Sequence, residues 1–158
     1  MPSPHASHAL NTPKAVSILL IDDNHGDAML FREALDGERA SRSITLHVAS
    51  NVDKGIALLS GADTSGVGLQ PTIILLDLHM PGKDGKDFLR YRSENPDVAR
   101  FRVVLLSSST RQVDVDDCLR LGASHYRVKP KDWAGYQALI VFLRQFWDEA
   151  AIAAPGSL

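Results

Sequence analysis

Short apolar runs and longer amphipathic segments alternate five times along the chain. Runs of leucine and β-branched residues of this length are typical of strands buried on both faces, as in a parallel sheet covered by helices. The alternation therefore predicts an α/β fold, in which helices flank a doubly wound, five-stranded parallel sheet. The strands are predicted at Val16–Ile21, Ile44–Ala49, Ile73–Leu76, Val103–Leu106 and His125–Val128.

Helical spacing of apolar residues between and after these runs predicts five helices. Asn51 is a suitable N-cap for the second helix, and Gly122 follows the fourth, where a left-handed cap favours glycine. A stretch rich in glycine, serine and threonine, from Gly61 to Gln70, predicts a loop before the third strand. The helices are predicted at His25–Leu35, Asn51–Leu59, Asp84–Ser93, Val113–Leu121 and Trp133–Ala150.

Polar residues stand at the carboxyl ends of four of the predicted strands. Asp22 and Asp23 follow the first strand and Asp77 follows the third. Ser107 follows the fourth strand and Lys129 the fifth. Ligands of open parallel sheets bind outside the carboxyl ends of the strands. The sequence therefore predicts one pocket that holds three carboxylates, a hydroxyl group and an ammonium group.

The chemistry of this pocket follows from its charges. Three converging carboxylates repel each other and require a cation, and hard oxygen ligands suit Mg²⁺. Asp77 is then the candidate nucleophile, which attacks phosphorus and becomes an acyl phosphate. Lys129 and a hydrogen bond from Ser107 would stabilise the phosphoryl oxygens. Any one of these residues alone is explained equally well as an ordinary surface charge, so the argument depends on the whole set.

With these residues the chain resembles the receiver domain of bacterial two-component response regulators, over Val16 to Trp147. The resemblance implies a flavodoxin-like receiver fold with Asp77 as the phosphoacceptor, assisted by Ser107 and Lys129. It implies that Ser107 and Tyr126 form the pair that switches on phosphorylation. The Mg²⁺ site that it implies consists of Asp22, Asp23, Asp77 and the backbone carbonyl of His79. The His79 imidazole itself suits zinc better than Mg²⁺.

The implied function is that of a stand-alone receiver in a two-component phosphorelay. It would accept a phosphoryl group on Asp77 from a sensor histidine kinase and signal through changed protein contacts. It is not expected to be an enzyme, beyond catalysing its own phosphoryl transfer and slow dephosphorylation. The long loop before the third strand and the terminal Phe146-Trp147 resemble receivers associated with bacterial phytochromes, which makes a bacteriophytochrome the candidate kinase. His79 and Gly82 depart from that narrower pattern.

The final predicted helix carries more apolar residues than one buried face needs. Its main stripe is expected to face the sheet and consists of Tyr136, Leu139, Ile140, Leu143, Phe146 and Trp147. Val141 and Phe142 lie off this stripe. A second subunit is the expected cover for such a helix, so we predict a homodimer interface at Val141, Phe142 and Trp147. The alternative is that a loop or tail of the same chain covers Phe142.

Composition sets limits on the other function classes. The 158 residues, 44% of them hydrophobic and 23% charged, fit one globular domain, which we place at 15–150 between a flexible tail, 1–14, and a short tail, 151–158. The formal charge of −2 gives no reason to expect nucleic-acid binding. No apolar run is long enough to span a membrane. A single cysteine, Cys118, fits a reducing cytoplasm.

Three other functions compete with this interpretation. A phosphatase of the haloacid-dehalogenase type also uses an aspartate nucleophile after a strand, but it needs a second aspartate where this chain has His79. A degenerate receiver that serves only as an interaction module would not need an intact Asp23, Asp77 and Lys129. A DNA-binding regulator would need an output domain, and only eleven residues follow Trp147.

Overall fold

A parallel sheet forms the centre of the protein. The computed structural model describes residues 15–62 and 66–152, so the predicted tails at 1–14 and, for the most part, 151–158 lie outside the described residues. Within them, five strands pair in the order β2-β1-β3-β4-β5, and every neighbouring pair is parallel. This arrangement confirms the predicted doubly wound sheet. The strands are β1 (Val16–Ile21), β2 (Ile44–Ala49), β3 (Ile73–Asp77), β4 (Val103–Ser107) and β5 (His125–Val128).

Helices connect the strands and cover both faces of the sheet. The N-cap prediction holds for Asn51, whose side chain accepts a hydrogen bond from the backbone of Lys54 at 2.8 Å. Gly122 follows the fourth helix with a φ of 104°. A single helical turn, Pro96–Ala99, was not predicted. In the part of the chain that the structure describes, the main helices are α1 (His25–Asp36), α2 (Val52–Ser60), α3 (Gly85–Glu94), α4 (Gln112–Arg120) and α5 (Trp133–Ile152).

Alternate residues of the central strands enter two separate hydrophobic clusters. Ile18 and Leu20 of β1 pack with α1 and α5 on one face of the sheet. Leu19 and Ile21 pack with α2, α3 and α4 on the other face, in a cluster that includes the buried thiol of Cys118. Because both faces are covered, a strand with no polar residue is stable in this position. This burial explains the uninterrupted apolar runs of the sequence.

The buried face of α5 agrees with its predicted stripe, and it corrects one predicted interface residue. All six residues of the stripe are buried, and Trp147 is only 1% exposed. Trp147 follows Leu143 by one helical turn and therefore points toward the same core, so its predicted place at a subunit interface is wrong. Val141 is 58% exposed. Among the described residues, no helix combines the length and the apolar character needed to cross a membrane.

Candidate functional site

The three predicted carboxylates meet at the carboxyl edge of the sheet. Asp22 and Asp23 follow β1, and Asp77 is the last residue of the neighbouring strand β3. One carboxylate oxygen from each of the three lies within 4.8 Å of the others. Asp22 and Asp77 are buried and Asp23 is exposed. The backbone N–H of Asn24 donates to Asp22 Oδ1 at 2.9 Å and fixes this carboxylate at the start of α1.

The surroundings of Asp77 disfavour the negative charge of its carboxylate. Burial raises the pKa of Asp77 to about 6, and the charge of Asp22 acts in the same direction. The ammonium of Lys129 opposes the shift without cancelling it. Two carboxylates so close together cannot both ionise freely. The pocket therefore favours a bound cation, as the sequence predicted from the convergence of the same residues.

Lys129 lies among carboxylates at the centre of the pocket. Its Nζ is 2.9 Å from Asp22 Oδ2 and 3.4 Å from Asp77 Oδ2. The shortest contact, 2.8 Å, is to Oδ2 of Asp27 in the first turn of α1. The backbone N–H of Lys129 also donates to the carbonyl of Ser107 at 2.8 Å, which places β5 against β4.

Asp27 was not among the predicted site residues. The available signal was its position, three residues after Asn24, whose side chain caps the helix by accepting from the Asp27 N–H at 3.0 Å. An N-cap residue that directly follows the acidic pair places the first turn of α1 beside the pocket. A carboxylate in that turn can therefore reach the same ammonium as the pair.

The Lys129 ammonium remains charged in this environment. Burial alone would lower the pKa of Lys129, but the hydrogen bonds to Asp27 and Asp22 and the charges of Asp22 and Asp77 outweigh it, so the pKa is raised. An ammonium surrounded in this way is a permanent positive charge beside Asp77. It can interact with a second anion that enters the pocket.

Ser107 lies at the end of β4, beside the strand that carries Asp77. Its side chain is fully buried, and its Oγ accepts a hydrogen bond from the backbone N–H of Ser109 at 3.0 Å. Asp77 pairs with Leu106 across the two strands, so Ser107 is one position beyond it. The structure thus places this hydroxyl group at the same edge of the sheet as the carboxylates.

Tyr126, the second residue of the predicted switch pair, is bonded to the same loop. Its half-buried hydroxyl donates to the carbonyl of Ser109 at 2.9 Å. The Ser109 hydroxyl donates to Asp114 of α4 at 2.7 Å, and Lys86 of α3 donates to Asp114 at 3.1 Å. Ser107 and Tyr126 are therefore connected through Ser109. Sequence reasoning missed Ser109, because nothing in its local pattern distinguishes it from its serine neighbours.

The loop after β3 leads back to the end of that strand, where the N–H of Gly85 donates to the carbonyl of Leu78 at 2.9 Å. His79, two residues beyond Asp77, has an exposed side chain. Gly82 has a φ of 77°, in the left-handed region that favours glycine. A Cβ atom at Gly85 would lie only 2.9 Å from the carbonyl oxygen of Asp77 and from Cα of Leu78. The chain therefore needs glycine at position 85 to bring α3 against the end of β3.

A sequence-family comparison matches this arrangement. The model of the response regulator receiver domain matches residues 18–140. The chain belongs to the response regulator receiver family. It is a receiver signalling domain of a two-component system, and the membership sets aside the haloacid-dehalogenase alternative.

The receiver is similar to response regulators of known structure. It is 29% identical to response regulator Rcp1 of Synechocystis over 142 residues, which cover 88% of this chain and 92% of Rcp1. The crystal structure of the Mn²⁺-bound form of Rcp1 has a TM-score of 0.71 at 28% identity and covers 84% of this chain and 94% of that one. The phosphorylated cyanobacterial phytochrome response regulator RcpA has a TM-score of 0.73 at 25% identity, with coverages of 87% and 96%. The predicted likeness to phytochrome-associated receivers is confirmed.

Proposed function

We propose that Asp77 accepts a phosphoryl group from a sensor histidine kinase and that the phosphorylated protein signals through changed protein contacts. The placement of Asp77 carries this proposal. It ends the central strand, lies among the carboxylates of Asp22 and Asp23, and has Lys129 Nζ at 3.4 Å. Asp77 is the last residue of β3 and is buried, with the half-buried Lys129 beside it. Asp22 is also buried and close to Lys129, but it lies one residue beyond β1 and accepts a hydrogen bond from the N–H of Asn24.

The residues of the pocket account for the transfer. A carboxylate oxygen of Asp77 attacks phosphorus, the bond from phosphorus to the donor breaks, and its electron pair leaves with the donor. The product is an acyl phosphate on Asp77. Lys129 supplies a fixed positive charge to the phosphoryl oxygens, and the Ser107 hydroxyl supplies a hydrogen bond. Phosphoryl transfer asks a protein mainly for such positioning and electrostatic stabilisation.

The donor set of the pocket fits Mg²⁺. Three carboxylate oxygens within 4.8 Å of one another are hard ligands of the kind that this ion takes. We propose that Asp22, Asp23, Asp77 and the backbone carbonyl of His79 hold it. When bound, Mg²⁺ neutralises charge on the phosphoryl oxygens. The similar response regulator Rcp1 has a Mn²⁺-bound form, which supports the binding of a divalent ion by this chain.

The signal would leave the pocket through Ser107 and Tyr126. A phosphoryl oxygen that takes a hydrogen bond from Ser107 draws this hydroxyl away from the N–H of Ser109, and the carbonyl of Ser109 holds the Tyr126 hydroxyl. The ring of Tyr126 is half-buried, so an outward and an inward position differ modestly in buried area. Such a ring is a workable two-state element.

A bacteriophytochrome is the histidine kinase that we propose as the partner. The similarity to RcpA, which is a cyanobacterial phytochrome response regulator, supports this choice. We also propose a cytoplasmic location. The buried thiol of Cys118 has no cysteine partner in the chain and fits a reducing compartment.

A homodimer through α5 is part of the proposal. Val141 presents an apolar side chain that is 58% exposed. Phe142 is half-buried, because its ring meets those of His125 and Phe146 and carries the Arg127 guanidinium at 4.2 Å. Val141 is therefore the centre of the proposed contact and Phe142 its edge. A two-fold axis would let this small surface cover itself.

Intact mass tests the proposed function. Purified protein is mixed with Mg²⁺ and acetyl phosphate, and a gain of one phosphoryl group is expected. The gain should be absent without Mg²⁺ and in Asp77→Asn. Equal labelling of Asp77→Asn would move the acceptor elsewhere. No gain in the wild-type protein would support the degenerate receiver, an interaction module without phosphorylation.

A further inference from the structure

Lys129 has one carboxylate partner that does not belong to the acidic cluster. An ammonium has three N–H donors, and three carboxylates surround this one, with Asp27 at 2.8 Å, Asp22 at 2.9 Å and Asp77 at 3.4 Å. Asp22 and Asp77 also belong to the cluster that can hold a metal ion, and Asp27 does not. The shortest contact of Lys129 is therefore made to the one carboxylate whose charge a metal would not share.

Asp27 is held in place by the start of α1. Its backbone N–H donates to Asn24 Oδ1 at 3.0 Å, and the N–H of Asn24 donates to Asp22 Oδ1 at 2.9 Å. One short capped segment thus sets the positions of Asp22 and Asp27. The Asp27 side chain is 26% exposed, and that of Lys129 is 15% exposed. The contact between them is largely shielded from water.

Phosphoryl transfer requires the Lys129 ammonium to stay beside Asp77, and the Lys129 side chain alone does not fix it there. The ammonium sits at the end of a flexible four-carbon stem. When a metal ion takes up the charge of Asp22 and Asp77, their attraction for the ammonium weakens. Without another partner the ammonium would be free to leave the position beside Asp77. Asp27 lies outside the proposed ligand set and is within hydrogen-bond distance of the ammonium.

We infer that Asp27 is a positioning residue, which holds the Lys129 ammonium beside Asp77 so that it meets the incoming phosphoryl group. This inference rests on the proposed function. Asp27 does not touch the reacting atoms and acts only through Lys129. Two of the three ammonium donors stay with Asp27 and Asp22, and the third, now directed at Asp77, passes to a phosphoryl oxygen.

The rate of phosphorylation by acetyl phosphate tests this role. Asp27→Asn keeps the size of the side chain and removes its charge, and we expect it to slow phosphorylation about tenfold because the ammonium is no longer fixed. Asp36→Asn is the matched control, since Asp36 lies at the other end of α1 and pairs with the exposed Arg39. It should retain the wild-type rate.

A double-mutant cycle separates positioning from a structural effect. If Asp27 acts through Lys129, then Asp27→Asn should slow the Lys129→Ala variant no further. Equal slowing in both backgrounds would overturn the inference. The NMR signal of the Lys129 ammonium in the Mg²⁺-bound protein gives an answer independent of labelling. It should be sharp in wild type and in Asp36→Asn and broadened in Asp27→Asn, and an unchanged signal in Asp27→Asn would also overturn it.

The two proposals fail in different ways. A wild-type protein that takes no phosphoryl group contradicts the proposed function, whatever Asp27 does. A wild-type protein that is labelled normally, with Asp27→Asn labelled at the same rate, contradicts only the role of Asp27. Circular dichroism of Asp27→Asn checks that α1 remains folded, and Asp27→Ala repeats the rate measurement without an amide group.

Discussion

The Tyr126 hydroxyl donates a hydrogen bond to the backbone carbonyl of Ser109, at 2.9 Å. The N–H of the same Ser109 donates to the hydroxyl oxygen of Ser107, at 3.0 Å. Ser107, expected to sense the phosphoryl group, and Tyr126, expected to report it, are therefore hydrogen-bonded to the N–H and to the carbonyl of the same residue. A movement of Ser107 toward the pocket changes the position of the acceptor that holds Tyr126.

Removing the Ser107 hydroxyl should separate phosphorylation from the response of Tyr126. We expect Ser107→Ala to accept the phosphoryl group, because Asp77 and Lys129 are intact, although a lost hydrogen bond slows the reaction several-fold. The ring signals of Tyr126 in NMR spectra should shift on phosphorylation in wild type and remain unchanged in Ser107→Ala. Ser108→Ala is the control, since Ser108 is exposed. A full Tyr126 shift in Ser107→Ala would contradict the proposed switch.

The raised pKa of Asp77 predicts that the metal-free protein loses folding stability as the pH rises. The carboxyl has a pKa of about 6 in the folded state, against 3.8 as the ordinary value. Well below pH 3.8 it is protonated in both states and has no effect. As pH rises from 4 to 6 the unfolded chain loses this proton first, so the folded state loses on the order of 2–3 kcal/mol by pH 7.

Asp77→Asn should therefore be more stable than wild type at pH 7 in EDTA, by about 2 kcal/mol, and the gain should disappear at about pH 3. Urea unfolding of both proteins at the two pH values measures the difference. Comparing the variants cancels the titration of other groups. A constant difference across this range would show that Asp77 titrates normally.

Removing Asp23 should weaken Mg²⁺ binding and relieve repulsion at the same time. We expect Asp23→Ala to lower the affinity at least tenfold, because one of three clustered carboxylates is lost. The metal-free fold should become slightly more stable, since the charge of Asp23 raises the pKa of Asp77. Calorimetric titration measures the affinity. Asp97→Ala, in the exposed turn after α3, should bind as wild type does, and an equal affinity in Asp23→Ala would exclude this ligand set.

The proposed dimer depends on Val141. We expect Val141→Asp to be folded and monomeric, with dimerisation weakened a hundredfold or more, because two apolar contacts worth roughly 1.5–3 kcal/mol each are lost by symmetry. Sedimentation equilibrium measures the association. Met29→Asp is the control, since Met29 on α1 is 59% exposed. A wild-type protein that is monomeric at high micromolar concentration, with and without phosphodonor, would refute the dimer.

The parts of the fold that depend on local pattern were predictable from the sequence. β1 and β3 are apolar on both faces because helices cover both, and Asp22 and Asp77 lie where those strands end. The approach of Asp27 to Lys129 was not predictable, because it depends on how the start of α1 is oriented relative to the residue after β5, which is distant in the sequence.

Trp147 shows the opposite difficulty. Helical spacing placed Trp147 correctly on the buried stripe. Its apolar character also suggested a subunit interface, but a side chain buried in the core of its own subunit cannot lie at that interface as well. Its exposure of 1% depends on the length of α5 and on the packing of that helix against the sheet. The guanidinium of Arg42 also lies 5.9 Å from the centre of its ring. A contact between residues so far apart in the chain leaves no local signal in the sequence.

The buried thiol of Cys118 can be used to measure how often α4 opens. The thiol is fully buried in α4, and burial raises its pKa to about 11, so a maleimide dye has neither access nor thiolate to react with. Labelling requires α4 to separate from the sheet, and its rate then measures how often this helix opens. Because α4 is bonded through Asp114 to the loop that holds Tyr126, phosphorylation should change that rate. One natural cysteine can thus record the response to a phosphoryl group bound on another element, without any label being engineered into the chain.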